Sequence, residues 1–170
     1  MKKTLGLVMA LVMILTAVSA FAAIPSKTTE DLVEVTTENE NVTVVATEND
    51  TAPVTELLAT IANSDANNNI PAEAKASLPE GSTYSKVDEV TTLKIEGGTA
   101  EEDLVINLQF PTNFAEKNVA IMLGVLDNGT IAEWKTVETV GKDDGTIDLT
   151  LSGELQDWLN GREFIALIAE

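Results

Sequence analysis

The stretch Val119-Ala-Ile-Met-Leu-Gly-Val-Leu126 is followed at once by the turn sequence Asp127-Asn-Gly129. A run of eight apolar residues bounded by a turn is typical of a central β-strand that is covered on both faces. Asn-Gly readily adopts the positive φ angles that tight hairpin turns need. Segment 131–140 is therefore predicted to pair back on the first strand, and this hairpin marks the domain as antiparallel β.

The segments around this hairpin also have strand character. Residues 104–110 alternate between apolar and polar side chains and end at Pro111, which is typical of a half-buried strand. Lys142-Asp-Asp-Gly145 predicts a second turn. Further strands are predicted at 86–95, 146–151 and 164–169. Six strands within about 85 residues favour an antiparallel sandwich.

A helical segment, 53–80, precedes the strands. It begins at Pro53, a residue that favours the first turn of a helix, and a second short helix is expected over 71–78. The apolar face of the first helix consists of Val54, Leu57, Leu58 and Ile61. This piece is too small to fold alone, so it is expected to cover part of the sheet. A third helix is predicted over 154–160 with Ser152 as its N-cap. The fold class is thus mainly β with a helical element (α+β).

Residues 1–22 have the organisation of a signal peptide. Lys2 and Lys3 form a basic start, an apolar run covers 5–18, and Ala20-Phe-Ala22 after Ser19 creates an A-x-A cleavage signal. A retained membrane anchor needs about 18 or more apolar residues, and this run is shorter. The short leader with its paired lysines indicates a bacterial protein that is secreted, with no membrane anchor.

Residues 23–41 form a Thr- and acid-rich segment ahead of a single domain over 42–170. Such a composition buries little apolar surface, which predicts a frayed N-terminal segment. The β-branched run at 32–35 favours a strand instead, so that alternative stays open there. A true strand is predicted near 42–47.

Charge and composition exclude several classes of function. The chain contains no His and no Cys, which rules out imidazole or thiol catalysis, His/Cys zinc sites and disulfides. Loss of Lys2 and Lys3 with the leader leaves 8 basic residues of the 10, against 28 acidic ones, for a net charge of −20. Such a charge repels nucleic acid and anionic lipid, so neither is an expected partner.

No catalytic, cofactor-binding or metal-binding residue is predicted, and no cofactor. Asp65, Asn67 and Asn69 place oxygen atoms at alternate positions, like the start of a calcium loop. Ile70 stands where the loop needs Gly, and Ala76 stands where it needs a bidentate Glu. A polar loop is therefore the better interpretation. Carboxylate pairs are not informative in so acidic a chain, because chance pairing is certain.

Trp134 is the aromatic residue that most resembles a sugar-binding platform. The strand pleat places it on one face with Ala132 and Thr136, while the charged Glu133 and Lys135 lie on the other face. We therefore expect Trp134 to point inward and fill the gap between two sheets, rather than stack on a ligand.

The succession of these elements resembles small secreted domains of gut Firmicutes. The shared marks are the apolar strand with its Asp127-Asn-Gly129 turn, Trp134, the second turn, the closing strand 164–168 and the upstream element Leu78-Pro-Glu-Gly81. The resemblance implies an exported, Ig-like β-sandwich, and it implies no activity and no site residue.

Two functions are compatible with these features. The first is a secreted, non-enzymatic interaction module, a monomer that binds a protein or a carbohydrate through its loops. The alternative is a small Asp/Glu-dependent hydrolase or lyase that acts on a polysaccharide. A cleft shared by two carboxylates favours the enzyme, and a flat, loop-fringed surface favours the module.

The leader assignment predicts where the mature protein begins. Cleavage after Ala22 or one residue later gives an N-terminus at Ala23 or Ile24. The intact mass of the exported protein measures this directly, and a mass that includes the leader contradicts both the export and the charge of −20.

Overall fold

The computed structural model describes residues 34–39, 42–47, 50–63, 68–97 and 102–170. The strands are β1 (Glu34–Thr37), β2 (Thr43–Thr47), β3 (Glu89–Glu96), β4 (Leu104–Gln109), β5 (Asn118–Asp127), β6 (Thr130–Val140), β7 (Ile147–Leu151) and β8 (Glu163–Ala169). The helices are α1 (Ala52–Asn63), α2 (Ala72–Lys75) and α3 (Gly153–Leu159). The signal-peptide prediction, 1–22, lies outside the described residues.

The strands form two antiparallel sheets. One has the order β1-β4-β7 and the other has the order β2-β3-β8-β5-β6. The prediction of a mainly β, sandwich-like architecture with a helical element is thereby confirmed, while the Ig-like relationship stays a prediction.

The core of the sandwich lies between the two sheets. β4 and β7 direct alternate apolar side chains inward, and β3, β5 and β8 do the same from the other sheet. The fully buried residues of this core include Leu93, Ile106, Ile121, Leu149 and Phe164. Burial of each such side chain contributes about 1.5–3 kcal/mol, so this layer is a major source of stability.

A second core lies on the opposite face of the five-stranded sheet. Met122, Ile165 and Leu167 project from this face, and Val54 and Ile61 of α1 pack in the same cluster. Helix α2 and the segment that leads into β3 complete the cover. The helical segment therefore covers the sheet, as expected, and the molecule has three layers. Because β5 and β8 are central, they are apolar on both faces.

The N-terminal segment corrects one prediction. Residues 34–37 are not frayed but form β1, which pairs with β4 in the register Val35↔Leu108. Val35 packs against the sandwich core, and this apolar contact accounts for the ordering of a Thr-rich strand. The rest of segment 23–41, apart from Glu38 and Asn39, lies outside the described residues.

Two helix details also differ from the predictions. Helix α2 is shorter than the expected range 71–78 and ends at Lys75, with a turn at Ser77. Ser152 occupies the N-cap position of α3 but makes no side-chain capping hydrogen bond. Its carbonyl accepts the Gln156 N–H at 2.9 Å, while the buried Gln156 amide donates to the Leu151 carbonyl at 3.0 Å.

Trp134 lies beside a bulge in β6, and its position differs from the expected one. The β5–β6 register shifts beside Gly124, and the extra residue Glu133 has a φ of +48°. The bulge interrupts the alternation of side chains, so Ile131 and Trp134 share a face although they are three residues apart. Trp134 is partly buried against the helical layer, not between the two sheets. The expectation of packing was right, but the face that Trp134 shares with Thr136 is covered by the helical layer, where Thr136 hydrogen-bonds to Ser77 at 2.7 Å, and not by the other sheet.

Gly124 lies directly under the Trp134 ring, so it is expected to tolerate no side chain. A Cβ there would stand 2.7 Å from Ile131 Cγ2 and 2.8 Å from two atoms of the indole. Gly124→Ala should therefore lower the free energy of unfolding by about 1–3 kcal/mol, the usual cost of overpacking. Urea unfolding of the variant and of the unmodified chain measures this difference in free energy. In a Trp134→Ala background the added methyl group no longer meets the indole ring, so the same substitution should lower the free energy of unfolding by a smaller amount. Equal losses in both backgrounds would contradict this packing.

Candidate functional site

A groove of about 860 Å³ opens at one end of the five-stranded sheet. The antiparallel registers Asn118↔Val140 and Ala120↔Ala169 bring the start of β5, the end of β6 and the end of β8 to this edge. The loop 81–84, which leads from the helical layer to β3, forms the opposite wall. The side chains that carry chemistry there are Tyr84, Glu116, Lys117, Glu138 and Glu170.

Two residues of the groove, Glu116 and Lys117, are held by a tight contact with Gly141. Its N–H donates to the Lys117 carbonyl at 2.9 Å, and its carbonyl accepts the Glu116 N–H at 3.1 Å. A Cβ at Gly141 would overlap the Phe114 carbonyl oxygen, so only glycine fits. Glu116 adopts a φ of +61°, in the left-handed region, which costs a non-glycine residue about 1–2 kcal/mol. The buried Phe114 and Gly141 thus hold the Glu116 backbone in a strained conformation at the rim.

Tyr84 and Glu138 form a pair across the groove. The Tyr84 phenol lies beside the Glu138 carboxylate, and burial, followed by the charge of Glu138 and hydrogen bonding to it, raises the pKa of Tyr84. Since Glu138 follows the bulge on β6, it shares the face of Trp134 and points toward the helical layer.

Glu170 is held by two partners. Its carboxylate forms an ion pair with Lys117, and its backbone N–H donates to Asp88 Oδ2 at 2.9 Å. Asp88 is half-buried, and this burial raises its pKa. The charge of Glu170 acts in the same direction, while the amide hydrogen bond and the nearby Lys117 and Lys86 oppose it.

A second cleft, of about 600 Å³, lies on the outer face of the three-stranded sheet. Asn107 Nδ2 donates to Asp148 Oδ1 at 2.8 Å, and Lys142 Nζ lies 3.5 Å from Asp148 Oδ2. Acidic residues at 38, 102 and 103 complete its border. Asn107, Lys142 and Asp148 at its centre are thus partners of one another. None of its described lining residues is aromatic.

The calcium-loop candidates fall mostly outside the described residues, since Asp65 and Asn67 lie in the gap 64–67. Asn69 is described and pairs with Lys86 in an isolated bridge. Lys142–Gly145 is a turn, as predicted, with Gly145 donating its N–H to the Lys142 carbonyl at 2.8 Å. Within the described ranges, no group of three or more His, Cys, Asp or Glu side chains could hold a metal ion.

Over the same described part of the chain, no helix is both long and apolar enough to cross a membrane. No protein-family model, no curated protein and no solved structure matches the chain. The resemblance to secreted domains of gut Firmicutes therefore stays a prediction.

Sequence reasoning assigned no role to the groove residues. The groove residues come from four separate segments of the chain, and no spacing motif connects Tyr84, Glu116, Glu138 and Glu170. The single Tyr of the chain was the one signal that could have drawn attention to this place.

Asp88 and Asp144 should give stability profiles of opposite sign. Burial raises the pKa of Asp88 above its ordinary value of 3.8, so the folded chain binds the extra proton and the free energy of unfolding falls as pH rises through that window. Hydrogen bonds from the Thr146 hydroxyl and amide lower the pKa of Asp144, so its contribution is present above pH 3.8 and is lost as pH falls.

Urea unfolding of Asp88→Asn and Asp144→Asn from acidic to neutral pH measures the two effects. Relative to the unmodified chain, Asp88→Asn should gain stability as pH rises, and Asp144→Asn should lose it. Parallel profiles for the two variants would contradict the assignment of either environment.

Proposed function

We propose that the protein is a secreted, non-enzymatic binding module that takes a carbohydrate or a protein segment into the Tyr84 groove. The observation that carries this proposal is the state of the groove: an open depression in which the aromatic ring and two of the carboxylates lie against other residues of the chain. Tyr84 is held by Glu138, and Glu170 is held by Lys117 and Asp88. Fixed side chains lose little conformational entropy when a ligand arrives, which favours binding.

The dimensions of the groove also support a binding role. Its volume of about 860 Å³ lies within the range of about 300–1,000 Å³ that small-ligand sites occupy. Its walls are strand ends on one side and a loop on the other, so it is built on a rigid sheet. A polar lining with one aromatic ring suits a hydroxyl-rich ligand better than an apolar one.

Export and a monomeric state belong to the same proposal. The apolar leader at 1–22 supports export. Among the described residues, the exposed large hydrophobic side chains are Val45, Val105 and Val140, which lie on three different strands. Scattered single residues of this kind do not form an apolar contact patch, and this supports a monomer.

One observation favours the hydrolase alternative. Glu116, Glu138 and Glu170 line a single groove, and glycoside hydrolysis needs two carboxyl groups that flank the scissile bond. Against it, Glu170 is paired with Lys117, so this carboxylate is already engaged by a cation of the chain. The binding module is therefore the better-supported function.

A glycan array followed by calorimetry with the best ligand tests the binding role. Tyr84→Ala should weaken binding at least about fivefold, because an aromatic contact contributes about 0.5–1.5 kcal/mol beyond its buried area. Trp158→Phe is the matched control, since Trp158 packs against the sandwich core beside Lys135 and does not line the groove.

Unchanged binding by Tyr84→Ala, with its folding verified by urea unfolding, would place the ligand elsewhere. Release of new reducing ends from the bound glycan over time, lost in Glu138→Gln, would establish the hydrolase instead.

A further inference from the structure

We propose that the groove selects a glucosamine polymer with free amino groups, and not its N-acetylated or anionic counterparts. This inference rests on the proposed function, because it names the ligand class of the same groove. It depends on three features that occur together: the cavity, the anchored Tyr84 ring and the charge of the lining.

The first feature is the shape of the groove. It is open and about 860 Å³ in volume, which accommodates sugar units that enter from solvent as part of a longer chain. The hydroxyls of Ser82, Thr83 and Thr139 lie on its walls. Such groups donate and accept hydrogen bonds, as the hydroxyls of a sugar require.

The second feature is the ring. The Tyr84 side chain packs against the helical core beside Glu138, and it lines the groove while only partly buried. The C–H face of a pyranose packs on such a ring, and an ammonium group near it is attracted to the π face. The carboxylate of Glu138 therefore lies beside the position where a stacked sugar would present its substituents.

The third feature is the charge. Among the described lining residues, the carboxylates are Glu116, Glu138 and Glu170, and the cation is Lys117, which is paired with Glu170. Glu116 and Glu138 thus remain as negative charges without a cation in the groove. They repel uronic or sulfated sugars, and they strengthen hydrogen bonds from a protonated amino group.

A sugar amine fits these features better than a lysine side chain. The amino group of glucosamine is attached directly to the ring, so stacking on Tyr84 also positions the charge. A lysine ammonium must instead be ordered through four rotatable carbons, at a greater entropic cost.

Calorimetry on the full chain with glucosamine hexamer and N-acetylglucosamine hexamer tests the inference. These two probes have the same backbone and differ in the charge of the 2-substituent. At mildly acidic pH, where the amines are protonated and most carboxylates are ionised, the glucosamine hexamer should bind at least about tenfold more tightly. The preference should persist when salt is raised to ~0.5 M, which shortens the range of nonspecific attraction.

Glu138→Gln and Glu116→Gln should each reduce that preference, while Glu96→Gln should not. Glu96 is a matched control because it is a carboxylate on β3 paired with Lys94, outside the groove lining. Glu116→Gly also removes the left-handed strain, so it should reduce the preference while the fold becomes more stable, which excludes unfolding as the cause.

The outcomes separate the two proposals. Equal binding of both hexamers, weakened by Tyr84→Ala, overturns the selection for free amines and leaves the binding module intact. Equal binding of hexalysine and glucosamine hexamer also overturns it, because charge alone then accounts for the affinity. Binding of neither hexamer overturns the selection for free amines, and if the array retains no glycan either, the carbohydrate form of the proposed function fails as well.

Discussion

Strands β5 and β8 are buried on both faces, and the rest of the structure follows from this requirement. Their side chains alternate between the sandwich core and the helical core, so neither face can meet solvent. The three-stranded sheet covers one face, and α1 and α2 cover the other. The register that pairs β5 with both β6 and β8 also aligns their ends, and the groove opens where that cover stops.

Much of this architecture could be predicted from local sequence patterns. The run 119–126 identified a strand covered on both faces, and the Asn128-Gly129 turn located its hairpin partner, because burial and turn chemistry act over a few residues. The ordering of 34–37 was harder to predict, since a Thr-rich strand is stabilised by its pairing with β4 and not by its own composition. Trp134 was assigned to the wrong layer because the strand pleat defines which residues share a face but not which layer covers that face. The inserted residue Glu133 adds Ile131 to the face of Trp134, which simple alternation does not predict.

The candidate site could not be predicted in the same way. Its residues belong to the 81–84 loop, the start of β5, the end of β6 and the residue after β8, so only the sheet register brings them together. In a chain with 28 acidic residues, the three that matter do not differ in sequence from the others. What distinguishes them is their surroundings. Glu138 lies beside the Tyr84 phenol, Glu170 is paired with Lys117, and Glu116 stands in a turn that requires glycine at the neighbouring position 141. Such contacts are tertiary, and no local pattern encodes them.

The rigidity of the groove has a definite origin in the fold. Glu116 occupies a left-handed conformation that its side chain disfavours, and the buried Phe114 and the close approach of Gly141 hold it there. Such strain persists only where the surroundings determine the backbone more strongly than the residue's own preference. The Glu116 backbone is therefore fixed at the rim of the groove, while its exposed carboxylate keeps its side-chain rotations. If the groove takes a cationic sugar as proposed, the negative charge at this rim attracts that ligand, which makes charge a source of selectivity and not only of solubility.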